Sequence, residues 1–509
     1  MALRPLLAGA AVLVLSGLAG CSTTFTPRAC VTDDDCGGGG LVCDEVNGAP
    51  ACLAATDATL HIGMSAPLSG PSQELGVEMQ RGVSLAFDAQ NASGGIRGRQ
   101  LALDVLDDQY DPALAEQNTR ALLDVQPATG KVRCPTTNTS AVAGQAPVSM
   151  TPLDRGPDAV LALLGNVGTP TMVLSAPIAL ETGTLFFGAF TGASLILRDT
   201  LAGPCHKDVF NVRASYADEA YAALEYFFYE SVPDAAHLVS FDQDDSFGES
   251  GYDGLVAAYQ AQKGGFVPPP ADPTTPITRF RYTRDDETSV PAAVSGATAY
   301  LASLLAADDG DQTVGVFMTD TYGPATGFIT GLRDWQYADD AQQASLDKAT
   351  RLTLSFINVS FVGPNTLAAQ LEAAGTVVTP AGRVPYTTGV LVSQVVPNYQ
   401  TDESDVVTDY QALVQAAAYA PTFTSLEGYI DARVFIVGLL AHQGPFTPGG
   451  LIPTFETTGI PDLGFGPGAG FSAGDHDYSR SVWGTSIEAG ATFQDQYFWT
   501  EGGSLQLFE

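Results

Sequence analysis

A chain of 509 residues exceeds the roughly 250–300 residues that one hydrophobic core usually spans, so two lobes or domains are expected. Its 45% apolar residues suffice for a sizeable core and exclude a disordered chain, while 54 glycines and 32 prolines imply many turns and long loops. The formal net charge of −35, from 22 Lys and Arg against 57 Asp and Glu with no basic cluster, excludes nucleic acid or an anionic lipid surface as a partner; it reads as solubility rather than recognition of a cation.

Residues 1–20 read as an export signal. Arg4 supplies the positive start, Leu6 to Leu18 an apolar run short for a spanning helix, and Leu18-Ala19-Gly20 the small residues before Cys21. The segment resembles a bacterial lipoprotein signal, which would place the lipid on Cys21; an ordinary secretory signal with a free Cys21 is the alternative. Ser22 after the cysteine leaves inner or outer membrane open, with a lean to the outer. No later segment has about 18 or more uninterrupted apolar residues. The expectation is an exported domain of the bacterial cell envelope, facing periplasm or cell surface and joined to the membrane through the lipid only.

Residues 21–58 form a Cys-rich tether. Four cysteines, Cys30, Cys36, Cys43 and Cys52, crowd a Gly-rich exported stretch and predict two disulfides, with three possible pairings. Zinc prefers C-x₂-C pairs, which are missing here, and no histidine precedes His61. Cys134 and Cys205 remain as a third pair.

The body begins near Thr59. Leu60 to Met64 reads as a strand, Pro67 to Gly70 as a turn, and Glu78 to Asn91 as a helix stopped by Gly94-Gly95. Leu101 to Leu106 alternates as a strand, followed by Asp107-Asp108, and Pro112 opens a helix through Leu123. Strand–helix–strand–helix predicts a parallel α/β sheet. Ala159 to Leu164 and Leu185 to Phe187 continue it; His237 to Phe241 and Val314 to Met318 begin a second set. Segments 126–156, 267–276 and 337–349 fit no element and read as insertions. Ligands of open α/β folds bind at the carboxyl edge of the strands.

Ile62-Gly63, Pro67-Leu68-Ser69-Gly70, Gly76, Gly82, Leu85-Ala86, Asn91-Ala92, Gly94-Gly95-Ile96-Arg97-Gly98, Asp107-Asp108 and Asp111-Pro112 form one long pattern. It resembles the opening of type I periplasmic binding proteins, the leucine/isoleucine/valine-binding group of ABC transporters. Later blocks fit in order: Gly168 to Thr171, Phe187 to Ala193, Phe210 to Arg213, Phe241-Asp242 through Phe247-Gly248, Tyr322, Phe361 to Gly363, Gly389 to Val392 and Ser425 to Tyr429. The resemblance covers about residues 59 to 495. It implies two Rossmann-like α/β lobes with parallel central sheets, joined by a three-crossing hinge with the ligand between them. The lobes would comprise 59–213 with about 400–478, and 214–399 with about 479–509.

The resemblance also implies a site. Thr169, Ala189 and Thr191 match positions where the first lobe holds an α-carboxylate through backbone N–H groups and hydroxyls. Phe247 and Tyr322 match the aromatics of the closing lobe. The family's glutamate for the ligand ammonium falls at Asn365, whose amide carries no compensating charge. Asp320 or Asp245 would have to substitute; otherwise the ligand is not an α-amino acid, and relatives of this fold take amides, urea-like compounds and aromatic acids. The implied partners are a small-molecule ligand (amino acid, amide or small carboxylate) and an ABC permease, or, as the alternative, a signalling partner to which the same module reports. No cofactor, metal or catalysis is implied. Gly470-Phe471-Ser472-Ala473-Gly474 matches G-x-S-x-G, but the flanks lack the strand and helix of a nucleophile elbow. Asp242, Asp244 and Asp245 lack the glycine a calcium loop needs at its sixth position.

Overall fold

The computed structural model describes residues 28–46, 49–54, 59–134, 151–194, 198, 205–230, 236–261, 277–339, 341, 343–379, 382–461, 463–466, 468–502 and 505–508. The signal segment, Cys21 and the expected insertion at 267–276 lie outside them.

Among the described residues the chain builds two central sheets. The first has five parallel strands in the order Leu101–Asp107, Leu60–Ala66, Ala162–Leu164, Leu185–Phe187, Val209–Phe210. Register is set by pairs such as Leu60 with Leu101 and Leu163 with Phe186. Ile62, Met64 and Ala66 have no exposed surface, as expected for a parallel sheet covered by helices on both faces. The second sheet has eight strands. Thr278–Tyr282, Ala236–Gln243, Gln312–Thr319, Leu352–Asn358 and Val390–Gln394 run parallel; Val482–Glu488, Thr492–Trp499 and Gln506–Leu507 are added antiparallel.

Among the described residues the chain passes between these layers three times. After Phe210 it leaves the first sheet for helix Tyr216–Glu230, which packs against strand Val482–Glu488 of the second. After Gln394 it returns through helix Asp405–Ala417 to helix Phe423–Ala441, which lies along helix Gln73–Ala92 of the first lobe. After Asp477, bridged to Asn211, it crosses back to Val482. The contact between helices Gln73–Ala92 and Phe423–Ala441 depends on two glycines. A Cβ on Gly82 would stand 2.0 Å from the Ser425 carbonyl oxygen, and one on Gly428 2.5 Å from that of Met79. The predicted helix Glu78–Asn91 is thus longer, Gln73–Ala92, with Leu75, Met79, Val83 and Ala86 as its buried stripe.

Within the span read as a tether, residues 28–46 and 49–54 fold into a small module. A hairpin of Leu41–Val46 and Ala49–Ala54 is held by Cys30–Cys43 and Cys36–Cys52, and a third disulfide joins Cys134 to Cys205. The module docks on the first lobe through arginines of the Gly-Gly-Ile-Arg-Gly-Arg turn. Arg97 pairs with Asp33 at 2.7 Å, and the fully buried Arg99 pairs with Asp44 at 3.1 Å and donates to the Cys43 carbonyl at 3.0 Å. Phe446 lies beneath both guanidiniums, 4.3 and 4.8 Å from its ring centre.

The expected insertions resolve differently. Gln126–Pro127 pairs with Leu153–Asp154 at the base of the first, and Ala344–Leu346 and Lys348–Arg351 are short helical turns in the third. Among the described residues one helix, Glu287–Ala307, is long and apolar enough to cross a membrane. Small and hydroxyl residues interrupt its apolar run, and it sets Val290, Ala293, Ala297, Leu301 and Leu305 inward beside strand Thr278–Tyr282.

Candidate binding cleft between the lobes

The carboxyl edges of both sheets meet where the lobes face each other. On the first-lobe side, strand Ala162–Leu164 runs into Gly168 and helix Thr169–Glu181, which begins at Thr169. Gly168 takes φ +99°, and a Cβ there would come within 2.3 Å of the Tyr110 ring. Thr191 follows strand Leu185–Phe187, and its hydroxyl lies 2.7 Å from that of Thr169. Thr191 also accepts from Ala193 N at 3.2 Å and donates towards the Tyr216 hydroxyl at 3.4 Å. Two hydroxyls thus stand together at the amino end of a 13-residue helix, where free N–H groups and the helix dipole favour an anion. Ala189, the third expected residue, packs in the cluster of Met172, Ala176 and Phe186.

On the second-lobe side, Phe247 opens helix Ser246–Ala261, and its N–H is accepted by Asp245 at 2.9 Å. Tyr322 opens helix Tyr322–Tyr337 and donates its hydroxyl to the Pro71 carbonyl of the other lobe. Three rings not singled out as site residues from sequence, Phe361, Phe190 and Tyr110, complete the wall. Phe361, just beyond strand Leu352–Asn358, lies 5.0 Å from Phe190, 4.7 Å from Phe247 and 6.2 Å from Tyr110 between ring centres. Tyr110 and Phe190 come from the first lobe, Phe247 and Phe361 from the second, so rings of both lobes close on one another. The sequence carried one local signal for Tyr110, its place after Asp107-Asp108 at the carboxyl end of strand Leu101–Asp107; in the structure it takes φ +62°.

Asn365 stands apart from this cluster. Its amide donates to the Tyr399 hydroxyl at 2.7 Å and accepts from Phe423 N at 3.0 Å, at a narrow gap of about 40 Å³ also lined by Glu74, Glu78 and Thr422. Both ends of the amide are therefore engaged by protein.

Behind the threonines lies a buried ionic cluster at the first crossing. Arg213 pairs with Glu219 of helix Tyr216–Glu230 at 3.1 Å and with Glu427 of helix Phe423–Ala441 at 3.2 Å. Its guanidinium also covers the Phe190 ring at 5.0 Å. Ser360 donates its N–H to Glu219 at 2.7 Å, which ties the Phe361 loop to the same cluster. Burial pushes the Glu219 and Glu427 carboxyls up, and the Arg213 charge opposes it. One guanidinium thus joins elements of both lobes.

Ser472 sits in a tight turn closed by reciprocal backbone hydrogen bonds with Asp475, at 2.8 and 3.1 Å. His476 is buried, stacked 3.9 Å from the Phe210 ring, with its nitrogens against the Val209 carbonyl and Glu456. Neither has the strand-to-helix placement of a nucleophile elbow. Asp242 and Asp244 are engaged by Arg279 and Arg281, which answers the calcium-loop motif with an ion-pair network.

This architecture is the type I periplasmic binding protein fold of ABC-transporter substrate-binding proteins, and the chain is related to Leu/Ile/Val-binding proteins. A family model described as periplasmic binding protein matches residues 59–150. The Leu/Ile/Val-binding protein BraC3 of Rhizobium johnstonii is 32% identical over 123 residues, 23% of this chain; the chain spans 32% of that relative's length. Among solved structures, a possible leucine/isoleucine/valine-binding protein from Rhodopirellula baltica superposes with a TM-score of 0.65 at 27% identity, over 87% of this chain and 97% of that one. A leucine-binding protein from Thermotoga maritima shares the fold with a TM-score of 0.59 at 14% identity, over 87% of this chain and 99% of that one.

Proposed function

We propose that the chain is an extracytoplasmic solute-binding lipoprotein that closes on a small carboxylate-bearing solute with an apolar body and presents it to an ABC permease. The observation that carries this is the Thr169–Thr191 hydroxyl pair at a helix amino end, walled by Tyr110, Phe190, Phe247 and Phe361 from both lobes. The hydroxyls and helix N–H groups suit a carboxylate; the rings suit a hydrocarbon body. The names of the Rhizobium and Rhodopirellula relatives, both leucine/isoleucine/valine-binding, agree with a branched apolar body. The rings touch across the cleft, so a ligand enters only when the lobes part, and its contacts with both sides then favour the closed state. Binding and release need no covalent chemistry, and the protein acts as a carrier rather than an enzyme.

The lobes comprise 59–213 with about 400–478, and 214–399 with about 479–509; Cys21 carries the lipid. Incorporation of labelled palmitate in the producing cell, lost on Cys21→Ser, tests the anchor.

Thermal denaturation of the purified full chain against small carboxylates, amino acids and amides tests the binding. A ligand at 100 times its Kd stabilises the folded state by about 2.7 kcal/mol and raises the midpoint. Thr169→Val with Thr191→Val should abolish the rise for carboxylates while leaving the ligand-free midpoint within a few degrees. A broad panel without any rise counts against the reading.

A further inference from the structure

The first crossing holds more buried carboxyls than its guanidinium can balance. Glu427 and Asp431 stand one turn apart on helix Phe423–Ala441, and with Glu219 they set three buried carboxyls about Arg213. The Asp431 Oδ1 has no hydrogen-bond partner, and the Gly188 backbone closes on the other oxygen: a Cβ there would stand 2.8 Å from Oδ2. Three ionised carboxyls against one guanidinium would leave buried charge uncompensated, which a folded protein avoids by keeping protons. Burial pushes Asp431 well above the usual carboxylate range and Glu427 up to about 7, against the pull of Arg213.

The ring wall of the cleft covers this cluster. The Phe190 ring lies 5.0 Å from the Arg213 guanidinium and 5.0 Å from the Phe361 ring, and Ser360, next to Phe361, bonds both Arg213 and Glu219. The Tyr216 ring also lies beside Arg213, and burial pushes its hydroxyl up, so it stays neutral. Arg198 is in range of Glu427 but is held by Asp477 at 3.1 Å and by the Arg213 and Ala214 carbonyls. The charges on the other elements packed against the helix have partners of their own: Glu78 has Arg81, His476 has Glu456, and Asp409 has Arg433. Asp108, a second buried carboxyl near the cleft, is bonded to Ser65 and the Tyr110 N–H.

We propose that Glu427, bonded to the crossing residue Arg213 beside the unpartnered Asp431, is a proton-operated switch of the hinge, so that acidification favours the closed form; this rests on the opening and closing proposed for the lobes. Parting the lobes lifts Phe361 from Phe190 and lets water reach the cluster. The closed form therefore holds a proton on Glu427 that the open form, in water, releases from ordinary carboxylate pH upward. The contribution to closure is fully present below that range and is lost as pH rises through about 7. By reciprocity, a solute that closes the lobes takes up a proton near neutral pH.

Small-angle scattering of the ligand-free full chain at pH 5.5 and pH 8 tests this. The open-to-closed ratio of the wild type should rise at least about tenfold between the two, seen as a larger radius of gyration at pH 8. Glu427→Gln, whose amide stands for the protonated carboxyl, should keep the compact value at both. Asp108→Asn should keep the wild-type difference, which separates the hinge from the other titrating carboxyl. Glu219→Gln removes a negative charge beside Glu427 and should move the transition to lower pH, a shift that a loss of folding does not produce. A wild-type radius that does not change with pH, or a change that persists in Glu427→Gln, overturns the switch. If Phe361→Ala, which removes a ring of the closing wall, is larger than wild type in the same experiment, the opening of the lobes stands without the switch. If Phe361→Ala and wild type share one radius at both pH values, the opening of the lobes falls together with the switch.

Discussion

Asp108 stands between Ser65 and Tyr110 with no exposed surface. Its carboxyl accepts the Ser65 hydroxyl at 2.7 Å and the Tyr110 N–H at 2.9 Å, which helps hold Tyr110 in its left-handed backbone conformation. Burial pushes its pKa up to about 7, against the pull of these two bonds. The folded protein therefore retains a proton that the unfolded chain releases from ordinary carboxylate pH upward. Stability from this group is fully present below that value and is lost as pH rises through about 7. Asp108→Asn removes the loss: relative to wild type it should gain on the order of 2–4 kcal/mol between pH 4 and pH 8. Urea titrations at both pH values measure this, and a constant difference between variant and wild type would refute it. The sequence placed Asp107-Asp108 at a strand end, because alternation over Leu101 to Leu106 is a local signal. Nothing local marked Asp108 as buried, since its partner Ser65 lies on the neighbouring strand 43 residues earlier, and the place of Tyr110 after a strand end did not show which ring of the other lobe it meets, since Phe361 lies far along the chain.

Elements were legible where their pattern is local. Leu60–Ala66, Leu101–Asp107 and Pro112–Leu122 fall where alternation, Gly-Gly stops and the Asp111-Pro112 helix start put them. Ala159 to Leu164, an unbroken apolar run, shortened to a strand of Ala162–Leu164, because burial on two sides removes the alternation that marks strand ends. The Cys-rich segment was legible as disulfide-bonded but not as docked. Its partners Arg97, Arg99 and Phe446 lie far along the chain, and an arginine in a Gly-rich turn reads as solvent-exposed. Arg99 is instead a buried cation between Asp44, the Cys43 carbonyl and the Phe446 ring. Removing one member of such a pair typically costs about 3–5 kcal/mol, because the other charge stays buried. Arg99→Ala should therefore loosen the module from the lobe. Limited proteolysis should then cut ahead of residue 59 at least about tenfold faster, with cleavage of the body unchanged. Equal cleavage rates would mean that Arg97, through Asp33 and the Phe446 ring, holds the module in place without Arg99.

Under the proposed function the whole molecule acts as a two-state device, because the contacts that close it are few and separable from those that fold each lobe. Arg213, bonded to Glu219 and Glu427, sits on a crossing and has partners in helices of both lobes, so it belongs to the hinge. The rim contacts differ: Tyr322 to the Pro71 carbonyl, Ser72 to Asp285 at 3.3 Å, and Asn365 to Phe423 N at 3.0 Å each join one lobe to the other outside the core of either. Each exposed or half-buried hydrogen bond of this kind is worth about 1 kcal/mol net. Their sum is small enough for ligand contacts to decide the balance between open and closed. Tyr322→Phe with Ser72→Ala removes two rim bonds without touching the Thr169–Thr191 pair or the ring faces. The free variant should populate the open form more than wild type, seen as a larger radius of gyration in small-angle scattering, and saturating ligand should bring both to the same value. Losing about 2 kcal/mol of closure should weaken binding by roughly tenfold or more, because the competent closed state becomes the minor one. An unchanged radius of gyration together with unchanged affinity would place the closing energy in the ring cluster of Phe190, Phe247 and Phe361 instead. Phe361→Ala would then be the variant that opens the cleft.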